Sequence, residues 1–345
     1  MRGITRSTVA AITAALLALT ACSEQPTEVS SPSLLANRRP APPSDGVTPQ
    51  LVRQLAAQRG IGRLQQPPRV RPALVRLGQA LAFDKILSGN HDVACTTCHL
   101  PAFETGDGRS LSIGAGGTGL GPDRVPPNGA FIPRNAPPLF DLGSMRHLFW
   151  DGRVEIDSHG HFHTPAGRQV TRAMTRVFEF GPLSAQGMFP VTARSEMRGQ
   201  SGNELAAIPD SDNTAIWAGL MRRLGRIPKY REMFREAYPG VRFEDMNFAY
   251  ASNAMAGFFV SRLTFTNSPW DRFLAGNDHA LTPQQLAGAQ TFLTLKCSIC
   301  HTGATFTDDQ FHDVAVPQLG PGEGNGALGN DDFGRMNVTG DTADQ

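Results

Sequence analysis

Net charge is almost absent from this chain: 32 Lys and Arg face 31 Asp and Glu across 345 residues, a balance of +1. That excludes the strongly basic surface with which most nucleic-acid binders hold phosphate, and no nucleic-acid partner is expected. Membrane-spanning runs are missing too. The apolar stretch from Val9 to Leu19 falls well short of the roughly 20 residues that a spanning helix requires. No segment alternates polar and apolar residues as a half-buried strand does. Cysteine is scarce, with five in total, and four of these stand in two C-x-x-C pairs.

Each pair is followed by a histidine. Cys95-Thr96-Thr97-Cys98-His99 and Cys297-Ser298-Ile299-Cys300-His301 are two copies of C-x-x-C-H, the attachment signature of c-type haem. The two thiols of a copy can form thioethers with the two vinyl groups of one porphyrin. The adjacent His then supplies an axial imidazole nitrogen to the iron. A zinc site would need four N or S ligands close together, which one copy plus part of its distant twin could supply. A redox dithiol needs no following His. Finding the motif twice favours two covalently bound haem c groups. With four cysteines so committed, no disulfide is expected.

The fifth cysteine, Cys22, closes an N-terminal segment that reads as an export signal. Arg2 and Arg6 precede the apolar run, and Leu19-Thr20-Ala21-Cys22 resembles the bacterial lipobox, in which the Cys is lipidated. An ordinary signal peptide with an incidental Cys is the other reading. Residues 23–48 are rich in Ser, Pro, Thr and Ala and read as a flexible tether. The expected location is the periplasmic side of the bacterial envelope, lipid-anchored. Ser23 after the Cys points to the outer membrane.

The remainder is long enough for two domains, and its periodic segments are helical. Pro72 stands where a first-turn proline belongs, with Leu74, Leu77 and Leu81 behind it. Ile216, Trp217, Leu220, Met221 and Leu224 form one apolar stripe. Tyr230, Met233, Phe234, Ala237 and Tyr238 form another, stopped by Pro239-Gly240. A longer helix is expected from about residue 244 to 263. Thr282-Pro283-Gln284-Gln285 is a capping box that opens a helix leading into the second haem motif. Long Gly/Pro-rich stretches, 105–144 and 157–170, read as loops around a porphyrin edge. The expected fold is all-α, with two cytochrome-c-like haem domains over 49–240 and 241–345. Met and aromatic residues at helical spacing, Trp217, Met221 and Met233 among them, are assigned to packing.

Around the first motif the sequence becomes specific. Leu77-Gly78-Gln79-Ala80-Leu81-Ala82-Phe83-Asp84 precedes it. Asp107-Gly108-Arg109, Ser112-Ile113-Gly114, Arg134-Asn135-Ala136-Pro137, Phe149-Trp150-Asp151-Gly152-Arg153 and Glu196-Met197 follow in order. These blocks resemble the bacterial dihaem cytochrome c peroxidase/MauG family over about residues 70–345. The resemblance implies a peroxide-reacting haem in the first domain and an electron-transfer haem in the second.

It also implies roles for particular residues. Gln186, Pro190 and Glu196 have the separations of the family's distal-pocket residues. A carboxylate there can move a proton between the two peroxide oxygens, and an amide can orient the peroxide. Without the resemblance, Glu196 would read as a solvated helix-end carboxylate. Trp150 matches a tryptophan between the haems, which implies that its indole relays electrons, with a simply buried aromatic as the alternative. Asn135 matches a ligand of an inter-haem calcium ion, to which a carbonyl oxygen is suited. His159, His161 and His163 form H-x-H-x-H, read as exposed loop histidines with metal binding as the alternative.

Two departures stand out. In many relatives that require reduction before they react, a His sixteen residues after the first haem-ligating His caps the iron. That position is Ala115 here, and the first iron is expected to lack a strong sixth ligand. The family also usually continues beyond the segment matching Gly334-Arg335 and Val338-Thr339-Gly340-Asp341, to further calcium ligands and the second haem's cap. This chain stops at Gln345, so a truncated product, or a second haem without that cap, is expected. Met336 and His312 are weak substitutes.

The resemblance therefore implies reduction of hydrogen peroxide to water. Electrons would come from a small periplasmic cytochrome c or cupredoxin. A MauG-like oxidase acting on a protein or organic molecule and a dihaem electron carrier are the other readings. Ala115 argues against a carrier. A homodimer is left open.

Overall fold

A computed structural model of the chain describes residues 46–126, 131–314 and 332–344. Cys22 and nearly all of the 23–48 tether lie outside the described residues. The helices are α1 Pro49–Gln58, α2 Pro72–Phe83, α3 Cys95–Cys98, α4 Arg172–Thr175, α5 Pro182–Gln186, α6 Asn213–Gly225 and α7 Pro228–Ala237. They continue with α8 Phe248–Leu263, α9 Pro269–Leu274, α10 Pro283–Thr294, α11 Cys297–Cys300 and α12 Met336–Thr339. The chain is mostly helical, as its periodicity indicates.

Local chemistry sets most of the helix boundaries. Five of the longer helices (α1, α2, α7, α9 and α10) have Pro in their first turn, where the missing N–H is not needed. The capping box at α10 forms as expected: the Gln285 N–H donates to Thr282 Oγ1, and the Thr282 N–H donates to Gln285 Oε1. The long α8 starts at Phe248 rather than near residue 244. A 3₁₀ turn over Phe243–Asp245 precedes it, and Asn247 accepts from the Ala249 N–H at 3.0 Å, the geometry of an N-cap.

The larger apolar core is built around α8, which is buried on nearly every side and packs against α2, α5 and α6. Gly78 of α2 is required there. A Cβ at that position would lie 1.9 Å from the Ala254 carbonyl oxygen, so only glycine lets α2 and α8 approach so closely. Leu74, Leu77, Leu81, Trp217, Leu220, Leu224 and Phe234 fill this core, and the Trp217 indole N–H donates to the Met188 carbonyl at 2.9 Å. Full burial of one such leucine contributes about 1.5–3 kcal/mol. A smaller core joins Val52, Ala56 and Ile61 to Phe273, Leu286 and Leu293, and so packs α1 against α9 and α10. The larger core thus takes residues from beyond position 240, and the smaller takes residues from the start of the described chain.

One small sheet was not expected from sequence. β1 His147–Leu148, β2 Val154–Ile156 and β3 Phe162–His163 pair antiparallel in the order β1-β2-β3, with His147 opposite Glu155 and Glu155 opposite His163. Strands of two or three residues are too short to leave an alternation in the sequence.

Candidate functional site

The first C-x-x-C-H is folded for its chemistry before any haem is considered. Cys95 to Cys98 make one helical turn, which puts both thiols on one side, and His99 leaves that turn as its C-cap. The His99 N–H still donates to the Cys95 carbonyl at 3.0 Å. Its ring Nδ1 lies 2.8 Å from the Thr105 carbonyl, which accepts the Nδ1 proton and leaves the Nε2 lone pair for a metal. Thr105 has φ +65°, in the left-handed region that β-branched residues avoid. Its hydroxyl accepts from the Leu139 N–H at 2.7 Å, which helps hold it there.

The second motif repeats the device. The His301 N–H donates to the Cys297 carbonyl at 3.1 Å, and His301 Nδ1 lies 3.2 Å from the carbonyl of Phe306. Phe306 again has positive φ, +56°. In both sites a strained, non-glycine residue a few positions downstream supplies the carbonyl that fixes the imidazole.

The surroundings of these motifs suit haem. Burial pushes the Cys95 thiol up to about 11 and the Cys98 thiol up to about 12, which marks the low-polarity surroundings of the motif. Burial likewise lowers the proton affinity of His99, partly offset by its carbonyl partners, which favours the neutral, ligating imidazole. Near the second motif, Leu295 and Ile299 are more than half exposed, an apolar surface that a porphyrin would cover. Trp270 packs against Phe306, and its indole N–H is buried with no acceptor among the described residues. A haem propionate is the kind of group that such a donor accommodates.

Glu196 sits in a π-helical turn, Arg194–Arg198, and lines a cavity of about 970 Å³. Arg134, Asp151, Arg153, Phe162 and His163 share the lining. Two backbone contacts fix the turn. The Ala115 N–H donates to the Glu196 carbonyl at 2.8 Å, and a Cβ on Gly114 would lie 1.8 Å from the Ser195 carbonyl oxygen. Burial raises the pKa of Glu196 and the nearby Arg153 guanidinium lowers it, with burial the larger effect.

Gln186 is the last residue of α5 and is half-buried; it does not line this cavity. Pro190 is also half-buried. Trp150 is 65% exposed rather than buried: Arg134 lies 5.0 Å over its ring, and the backbone of Gly334 abuts it. The Asn135 amide donates to the Arg109 carbonyl at 2.5 Å. Met336 opens α12 and is half-buried, and His312 is paired with Asp308 at 2.8 Å.

Sequence reasoning assigned no role to Arg153 or Asp151, although both lie in the Phe149–Arg153 block. Asp151 is buried and pairs with Arg153 at 2.8 Å and with Arg134 at 2.5 Å, which in turn pairs with Asp332. These ion pairs hold the lining of the cavity and tie it to the segment at 332–339. The pairing of oppositely charged residues so far apart leaves no local pattern to read.

Residues 72–279 match the family model of the di-haem cytochrome c peroxidases, more than half of the chain. The chain belongs to that family. The match ends before Cys297, so the second haem rests on its own motif.

The methylamine utilization protein MauG of Methylorubrum extorquens is 29% identical over 246 residues, covering 71% of this chain and 54% of the relative. Cytochrome c peroxidase Ccp of Escherichia coli is 29% identical over 273 residues, 79% of this chain and 45% of the relative. The chain thus spans about half the length of these curated relatives. Among solved structures, the diheme peroxidase BthA from Burkholderia thailandensis superposes with a TM-score of 0.54 at 22% identity, over 79% of this chain and 61% of that one. A MauG-like protein associated with microbial copper homeostasis gives 0.52 at 23%, over 83% and 70%. These two show a shared fold. No helix among the described residues is long and apolar enough to cross a membrane.

Proposed function

We propose that this protein reduces hydrogen peroxide to water, with two electrons and two protons consumed per peroxide. The observation that carries the reading is the pairing of Ala115 with Glu196: a half-buried carboxylate lines an open cavity, and the residue bonded to its backbone carries a methyl group that cannot ligate iron. The haems, when bound at Cys95/Cys98/His99 and Cys297/Cys300/His301, supply the electron-accepting and electron-donating chemistry. The protein supplies the proton handling. Glu196 takes the proton from the inner peroxide oxygen and returns it to the leaving oxygen, so that water and not hydroxide departs. Arg153 sets how readily the carboxylate gives that proton up. By the resemblance alone, Gln186 at the end of α5 orients the peroxide through its amide, although it does not line the Glu196 cavity, and Trp150 relays electrons toward the first haem.

The proposed donor is a small periplasmic electron carrier such as a cytochrome c or cupredoxin. The two apolar cores support two haem units, with the second assembled from α1, α9, α10 and α11 rather than from the C-terminal half alone. Calcium at Asn135 and lipid attachment through Cys22 belong to the same proposal. Rapid mixing with peroxide should change the Soret band, and a steady-state assay should consume reduced cytochrome c. An untouched Soret band would favour a carrier.

Similarity to MauG at the same 29% identity supports a second reading, an oxidase acting on a protein or organic molecule. Peroxide reactivity without turnover of any small donor protein would favour it.

A further inference from the structure

The hairpin between β2 and β3 carries Asp157, His159, His161 and His163, which neither haem motif uses. Its turn fixes the carboxylate. The Asp157 N–H donates to the His161 carbonyl at 2.9 Å, and the Gly160 N–H donates to the Asp157 carbonyl at 3.1 Å, with Gly160 at φ +82°. Asp157 Oδ1 accepts from the N–H groups of His159 and His161, both at 2.8 Å. One carboxylate oxygen is therefore committed to backbone, and the other is held in place by it.

That second oxygen, Oδ2, lies 3.2 Å from His161 Nδ1 and 3.1 Å from His163 Nε2. Ligands about 2.0–2.1 Å from a metal are separated by roughly 3.3 Å in a tetrahedral shell and by about 2.9 Å in a square one. Each observed distance matches one such edge, but the two imidazole nitrogens and Oδ2 do not yet lie within 4.8 Å of one another, so the rings must turn toward each other to share an ion. The His159 ring centroid is 6.1 Å from that of His161, which brings a third imidazole to the same tip. The His161 and His163 rings are mostly exposed, so they can rotate about their χ angles toward a shared ion. His163 also lines the cavity that holds Glu196.

The plainer reading is that Asp157 simply accepts hydrogen bonds from exposed histidines. Among the described residues, the group whose ligand atoms already lie within 4.8 Å of one another is Cys300, Asp308 and His312. In the haem-loaded chain the Cys300 sulfur is a thioether, which weakens that set as a site for a divalent ion. The hairpin keeps its full complement of imidazole and carboxylate donors when haem is attached.

We propose that Asp157, His161 and His163, with His159 as a fourth donor, bind one divalent transition-metal ion of the copper(II) or zinc class at the rim of the Glu196 cavity. Imidazole with carboxylate suits these ions, and copper(II) binds most tightly in the series. On binding, each ring turns a lone pair to the metal, and its proton moves to the other ring nitrogen.

The test is titration of the dihaem protein with copper(II), followed by calorimetry and by electron spin resonance. One ion per chain, with imidazole nitrogen splitting and an unchanged haem absorption spectrum, is the expected result. H161A/H163A changes two exposed side chains and leaves the fold intact; it should weaken binding by about 100-fold or more, and D157N by about 10-fold. H312A should have no effect. Absence of saturable binding, equal affinity in H161A/H163A, or loss of binding in H312A would each overturn the proposal.

Discussion

The backbone N–H of Ala115 donates to the carbonyl oxygen of Glu196 at 2.8 Å. The position that, in the resemblance, carries a capping histidine is thus bonded directly to the proposed proton-transfer residue. A methyl group occupies it, and Gly114 beside it admits no side chain at all. The pair joins two features read separately in the sequence through the backbone of the turn whose Ser195 and Glu196 line the cavity.

Glu196→Gln keeps the shape of the side chain and removes the proton acceptor. The second-order rate of peroxide reaction should fall about 10²–10⁴-fold, with the ferric spectrum unaltered. Stopped-flow mixing measures this. A loss of less than threefold would remove Glu196 from the chemistry.

The pH dependence follows from the raised pKa of Glu196. The carboxylate form is needed, so the peroxide rate should rise with pH through a midpoint above the ordinary value of 4.5. Arg153 favours the carboxylate, and Arg153→Gln should therefore move that limb to still higher pH. A shift to lower pH would contradict the assigned electrostatics.

Stability has the opposite sign. A carboxyl with a raised folded-state pKa binds its proton more tightly folded than unfolded. Its contribution is fully present below the unfolded pKa and is lost as pH rises through the folded one. Glu196→Gln should melt on the order of a few degrees higher than the parent at pH 8, with the difference vanishing near pH 4. Thermal melts at the two pH values decide it.

The ferric protein should show a high-spin haem component in absorption and electron spin resonance, since Ala115 cannot ligate the first iron. Met336→Ala should leave the spectra of both haems unchanged if Met336 is not the second axial ligand. A fully low-spin parent spectrum would count against an open first iron.

Trp150 is largely exposed, so Trp150→Phe should shift stability by no more than about 0.5 kcal/mol. Steady-state turnover should nonetheless drop about tenfold or more if the indole relays electrons. Gly78→Ala is the converse case. Its methyl meets the Ala254 carbonyl, and the cost should reach about 1–3 kcal/mol in denaturant unfolding.

Much of this protein could be read from sequence because the decisive features are local. A C-x-x-C-H run spans a single helical turn, so the placement of two thiols and an imidazole is set by covalent geometry alone. The apolar stripes at Leu74–Leu81 and Ile216–Leu224, and the capping box at Thr282, likewise act within one or two turns, and all three form as the pattern indicates. The start of α8 was misjudged by a few residues because an Asn side chain, not the hydrophobic pattern, sets it. Other features needed the folded chain. The short strands pair only because the hairpins bring them together, and α1 joins α10 through apolar contacts between distant segments. The Asp151 ion pairs, the exposure of Trp150 and the grip of Asp157 on two histidines are also set by side chains meeting in space. The sequence by itself determined the two C-x-x-C-H turns and which of the longer helices form. Only the tertiary structure decided that the Ala115 backbone bonds to that of Glu196, since hydrogen bonding between remote backbone segments leaves no periodicity or spacing to read.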